Sequence, residues 1–218
     1  MQRYQPPMIA LAVCLAALAG FVDALAYSGL GGFFASFMSG NTTRLGVAFA
    51  GARYDEVRMA GALILSFVAG AMIATVISRR WPQQPQAAVM IAVTLLLAAA
   101  ALLARLYPGS QALLLLAVAM GAECGVSIGA AHMTWTLVRM GQTLAGALMG
   151  DSDRWAWLRH LLPWLGFLFG VVTGGRCHGA FGTSALWLAA GAAGVVAIAI
   201  ATVGGGTSKP GPWGPSAA

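Results

Sequence analysis

"FMSGNTTRLG", Phe37 to Gly46, sets an arginine, an asparagine and two threonines into a stretch whose flanks are Phe, Ala, Val and Leu. The surrounding composition fixes what this can mean. The chain of 218 residues is 59% hydrophobic and 8% charged, whereas a soluble domain carries roughly 25% charged residues. A full charge and a polar break inside such a chain are tolerable only if the segment is leaving the apolar phase or finding a partner within it.

Apolar runs at 8–28, 57–78, 87–106, 111–129, 160–178 and 184–203 each approach the roughly 20 residues needed to cross a hydrocarbon core of about 30 Å. Lipid leaves no water for unpaired backbone groups, so such runs are helices. The sequence therefore predicts an all-α, polytopic membrane bundle with six clear transmembrane helices and two polar broken or re-entrant helices, at 33–51 and 131–149. A transmembrane barrel would need alternating strands of about ten residues, and these runs are continuously apolar. The formal charge of +6 comes from twelve basic residues scattered singly or in pairs. They have no cluster or arm for nucleic acid and read as loop anchors facing the lipid headgroups.

Sliding the chain against itself shows that the polar stretch occurs twice. At an offset of 95, Met38, Ser39, Arg44, Gly46 and Ala50 fall on Met133, Thr134, Arg139, Gly141 and Ala145. "AGFVDA" around Gly20 resembles "MGAECG" around Gly121, and "FVAGAMIAT" from Phe67 lies over "FLFGVVTGG" from Phe167 at an offset of 100. Two tandem membrane repeats, 1–107 and 108–203, are the simplest explanation, joined at the turn "YPGS" and followed by a Gly- and Pro-rich tail at 204–218.

The symmetry of the repeats depends on whether the broken segments cross. Crossing gives each half four spans and places Arg3, Arg53, Arg58, Arg105, Arg154, Arg159 and Lys209 opposite Arg79, Arg80 and Arg176. Re-entry gives three spans per half and inverted repeats, with Arg3, Arg79, Arg80, Arg154, Arg159 and Lys209 opposite Arg53, Arg58, Arg105 and Arg176. The first split is the more lopsided, so the positive-inside rule favours crossing, with both termini in the cytoplasm.

Each half brings one acid and one base into apolar surroundings: Asp23 with Arg44, and Glu123 with Arg139. Ions in oil need partners, and counting residues from a turn near Gly31 and Gly32 in the first half, and near Ala130 and Ala131 in the second, puts each acid at a depth its arginine can reach. Asp23–Arg44 and Glu123–Arg139 are accordingly the expected ion pairs. Ser39, Gly40, Asn41 and Thr42 look like a helix break and restart, with Ser39 or Asn41 as N-cap. A helix starting inside the membrane would aim N–H groups at an anion or polar guest. In the second copy Trp135 replaces Gly40 and Thr136 replaces Asn41, so the first half is expected to contribute more to any polar site. The candidate binding residues are Asp23, Ser39, Asn41, Thr42, Arg44, Glu123, Thr136 and Arg139.

Other features read as structure. Gly121, Gly125 and Gly129, and Gly166, Gly170 and Gly174, recur every fourth residue and offer faces where helices approach closely, chiefly within the chain, with a dimer seam as the alternative. Cys14, Cys124 and Cys177 read as small buried hydrophobes. His132, His160 and His178 lack metal-ligand spacing, so neither metal nor cofactor is expected. Asp151 and Asp153 read as a solvated loop.

"GFVDA" at Gly20 to Ala24, followed by "FMSGNTTRLG", resembles the YoaK-like bacterial integral membrane proteins, a domain of unknown function. "MGAEC" at Met120 and "HMTWTLVRMGQTLA" at His132 are similar to that family's second signature, with Trp135 standing at a usual Gly and Cys124 at a usual Asn. The resemblance covers nearly the whole chain and implies a multi-pass protein of the bacterial inner membrane, without a settled substrate. The duplicated, charged, broken segments point to a small permease or channel-like transporter of a small polar or anionic solute. The alternative is a membrane scaffold packing on partner helices. An enzyme is not expected, because no His, Asp and Glu gather near one interface. A homodimer is compatible with a bundle of 22.3 kDa.

Overall fold

The computed structural model describes residues 6–107, 111–125, 133–150 and 153–204. Among these the regular elements are all helical: α1 (Pro6–Gly29), α2 (Met38–Ala50), α3 (Tyr54–Arg80), α4 (Pro85–Leu106), α5 (Gln111–Cys124), α6 (Met133–Leu148), α7 (Leu158–Phe181), a 3-10 turn (Gly182–Ala185) and α8 (Leu186–Gly204). Four stretches are long and apolar enough to cross a membrane: Met8–Gly29, Tyr54–Arg80, Pro85–Leu106 and Leu158–Thr202, the last of 45 residues and divided by the 3-10 turn into α7 and α8. The described part of the run expected at 111–129 is α5, a helix of 14 residues. The tip of the expected turn at 108–110, His132, Asp151, Arg3 and the expected tail beyond Gly204 lie outside the described residues.

The helices bury small residues and turn large apolar ones outward. Along α3, Ala60, Leu63, Gly70 and Ala74 are buried while Leu65, Met72 and Val76 are exposed. In water that exposure would drive aggregation; in lipid, tails are as apolar as leucine and helices associate by close packing instead. The packing here is very close. A Cβ added to Gly70 would sit 2.0 Å from the Val118 carbonyl oxygen, and one on Gly121 would sit 2.0 Å from that of Phe67. A Cβ on Gly170 would sit 2.0 Å from the Ala17 carbonyl oxygen, and one on Gly20 would sit 2.2 Å from that of Phe167. Helix backbones touch at both crossings, α3 on α5 and α1 on α7. The glycines at 121, 166, 170 and 174 are thus used within the chain.

These contacts also give direction. Val13, Ala17 and Phe21 meet Gly166, Gly170 and Gly174 in that order, so α1 and α7 run parallel. Phe67 meets Gly121 and Ala74 meets Gly125, so α3 and α5 run parallel. The end of α1 lies beside the start of α5, with Leu113 3.3 Å from where a Cβ of Gly29 would be. Just beyond that end, Phe33 shares a cluster with Ala60 and Leu63 from the start of α3 and Ala117 of α5. Hence α1 ends where α3 and α5 begin.

The segment at 33–51 therefore returns to the end of the bundle it came from, and the charge-count expectation that it crosses is overturned. With 13 residues, α2 is about 20 Å long, too short for a core of about 30 Å. The same directions put the end of α5 and the start of α7 at the opposite end of the bundle, so α6 is likewise bracketed by helices that leave and resume on one face. A count of scattered arginines was a weak arbiter against such packing.

The cysteine expectation also needs correction. Cys14 is exposed, while Cys124 and Cys177 are half-buried. A small apolar thiol gains nothing by hiding when the surroundings are themselves apolar.

Candidate polar cavity

The turn after α1 is made by Gly31 and Gly32, at φ +64° and +91°, a left-handed region where a Cβ clashes with the backbone. A Cβ on Gly32 would also lie 2.5 Å from the Arg44 guanidinium, so that flexible side chain would have to shift. From this turn the chain dips back along α1. The Ala35 and Ser36 amides donate to Asp23 Oδ1 at 2.8 and 2.7 Å, and Ser36 Oγ donates to Oδ2 at 2.6 Å. Asp23 lies six residues before the end of α1, about 9 Å down the helix. Its carboxylate thus holds the bottom of a re-entrant loop, giving buried amides the acceptors they need.

The next helix starts from that depth, but not by the expected cap. Residue Phe37 is the N-cap of α2 and no side chain caps it, so neither Ser39 nor Asn41 has that role. Asn41, fully buried, reaches back to the loop instead: its Oδ1 accepts from the Phe34 amide at 3.0 Å and its Nδ2 donates to the Phe34 carbonyl at 2.7 Å. A side-chain amide matched to both backbone groups of one residue replaces the strand or helix neighbour that the loop lacks. Thr42 is exposed, its hydroxyl donating to the Met38 carbonyl at 2.9 Å.

The expected ion pairs do not form. Arg44 rises to the end of the bundle, where it donates to the Gly31 carbonyl at 3.0 Å, pairs with Glu56 at 3.5 Å and lies 3.8 Å over the Phe33 ring. Glu56 also holds Arg53 at 2.9 Å. Asp23 meets neutral donors only. Counting depth from the turn brought the acid within reach of a long arginine side chain but missed that the loop itself comes between them. In the second half, Arg139 is exposed and lies 4.8 Å over the Trp135 ring, and the ion pairs among the described residues do not join it to Glu123. Glu123 is buried, 3% exposed, and both it and Thr136, also buried, have interaction partners.

What the fold does bring together is the two acids. Asp23 and Glu123, each 3% exposed, line one cavity of about 960 Å³ between α1, the re-entrant loop, the starts of α2 and α6, the end of α5, and α7. Of the expected residues, Asp23, Ser39 and Glu123 line it, whereas Asn41, Thr42, Arg44, Thr136 and Arg139 do not. It also takes in Tyr27, Ser36 and Thr134, together with Phe34, Phe37, Phe67 and Phe167. Two of the missed polar residues had a signal in the sequence. Tyr27 stands one helical turn after Asp23 on the same face, and Thr134 is the residue aligned with Ser39 at the 95-residue offset. Among the described residues no three of His, Cys, Asp and Glu gather into a metal-ligand set.

Long helices with outward-facing apolar side chains, around a largely apolar cavity that holds two acids, define a polytopic integral membrane protein. The chain belongs to the family described as Protein of unknown function (DUF1275), whose model matches residues 11–199; this is the YoaK-like group that its two signatures resemble. It is 35% identical over 189 residues to a UPF0700 transmembrane protein of Rhizobium meliloti (strain 1021), an alignment covering 83% of this chain and 80% of that one. No solved structure matches the chain.

Proposed function

We propose that the protein is a small permease or channel-like transporter of the bacterial inner membrane, acting on a small polar solute rather than catalysing a reaction. We read it as six spans and two re-entrant helices in a pair of inverted repeats, an arrangement that recurs in secondary transporters. The matched crossings support the repeat: α3 on α5 and α1 on α7 use glycines and carbonyls at equivalent places, Gly70 with Gly170 and Gly20 with Gly121.

The observation that carries transport is the cavity of about 960 Å³ with two carboxylates in its wall. Charged groups in a membrane interior are expensive and are kept where they face a bundle interior or a pathway. The anionic class loses its ligands, because Arg44 and Arg139 lie elsewhere. The scaffold reading loses its best surface, because the close-approach glycines of α5 and α7 are filled from within.

Reconstitution of the purified chain in proteoliposomes, followed by a solute uptake screen, tests this. Uptake above that of empty vesicles is expected, falling by roughly tenfold in Glu123→Gln. A folded protein that moves nothing in the screen, or a Glu123→Gln protein with full flux, overturns the reading.

A further inference from the structure

We propose that the cavity selects organic cations, meaning an amine or quaternary onium centre carrying an apolar body. The inference rests on the cavity being the solute site. Its first support is charge. The acidic side chains in the wall are Asp23 and Glu123, and among the described residues no Lys, Arg or His lines it. Asp23 is held by two amides and a hydroxyl, which satisfy its oxygens without supplying an opposite charge. Two acids on one apolar cavity repel an anion and reward a cation, and the low dielectric around them amplifies both effects.

The second support is independent of the acids. Aromatic residues recur in the wall: the Tyr27 and Phe34 rings lie tilted with centroids 5.2 Å apart, Phe34 meets Phe37 edge-on at 5.4 Å, and Phe67 and Phe167 line the cavity from α3 and α7. Ring faces attract cations, and desolvated ones do so more strongly. The two phenylalanines at 67 and 167 also bracket the crossings, so rigid backbone positions them.

A volume of about 960 Å³ is at the upper end of the range for small-molecule sites, roughly 300–1,000 Å³, and so leaves room for a body much larger than a bare ion. An apolar body fills the cavity while its charge settles between the carboxylates.

The test needs no variant to begin. The full chain in lipid nanodiscs is titrated with tetraphenylphosphonium and with tetraphenylborate, ions of the same four-ring shape and opposite charge, against empty nanodiscs. Tighter binding of the phosphonium by roughly tenfold or more is expected, as is loss of most of that preference in Glu123→Gln. Equal binding of the two ions, tighter binding of the borate, or a preference unchanged in Glu123→Gln with an unchanged melting temperature overturns the proposal. A phosphonium preference in a protein without flux sinks transport and leaves the cation site standing; flux of neutral or anionic solutes without that preference does the reverse.

Discussion

The helix crossings and the re-entrant arms of this protein are built on different terms. At the crossings the two halves are matched: a Cβ on Gly70 would lie 2.0 Å from the Val118 carbonyl oxygen, and one on Gly170 the same 2.0 Å from that of Ala17. In the arms they diverge. Arg44 is tied to the Gly31 carbonyl and Glu56, and Asn41 clamps both backbone groups of Phe34. Arg139 lies exposed over Trp135, and Thr136, with a single hydroxyl, stands at the position of Asn41. In the register that pairs Phe67 with Phe167, Ala156 stands where Glu56 does. Backbone contact admits one side chain at each position, hydrogen, so it constrains both halves alike. A polar clamp can be built several ways, so the arms were free to differ.

Breaking the crossings gives the largest effect. Gly70→Val and Gly170→Val put carbon against a carbonyl that cannot move without its helix, and each is expected to cost about 3 kcal/mol or to prevent folding. Equal losses in melting temperature, read on the detergent-solubilised chain, are expected; a large loss for one and none for the other would break the match between the halves.

The clamps come next. Asp23→Ala leaves the amides of Ala35 and Ser36 without an acceptor, and Asn41→Ala does so for Phe34; each is expected to cost about 1–3 kcal/mol. Thr136→Ala removes one hydroxyl and is expected to cost about 1 kcal/mol. Denaturant titration of the three variants orders them, and a Thr136 loss equal to that of Asn41 would show the second arm to be braced as firmly as the first.

The arginines sharpen the contrast at the smallest scale. Arg44→Gln removes an ion pair, a carbonyl bond and a ring contact, all partly exposed, and about 1 kcal/mol is expected. Arg139→Gln should fall within about 0.5 kcal/mol of the parent protein. A double-mutant cycle of Arg44→Gln with Glu56→Gln is expected to show coupling, and one with Asp23→Asn to show none. Coupling to Asp23 would restore the ion pair that the spacing suggested.

Much of this was legible in one dimension. Composition alone demands lipid and helices, because a chain with 8% charged residues cannot cover itself for water, and unpaired backbone cannot survive in oil. The burial of Asp23 and Glu123 and the special status of Asn41 were legible too, since a polar residue in an apolar run must be answered by something. The partner in each case was not. An acid within reach of a long basic side chain looks like a pair on paper, but the loop amides of Ala35 and Ser36 reach Asp23 first.

The linear chain by itself determined the phase the protein lives in, the helical class, the doubled motif and the glycines that let helices touch; these follow from transfer energies and sterics that act residue by residue. Only the tertiary structure decided that α2 turns back rather than crossing, that Arg44 leaves the interior for Glu56, and that two acids a hundred residues apart share one cavity. Those outcomes depend on which helix ends meet, and helix ends are set by packing between distant segments, about which spacing along the chain carries no information.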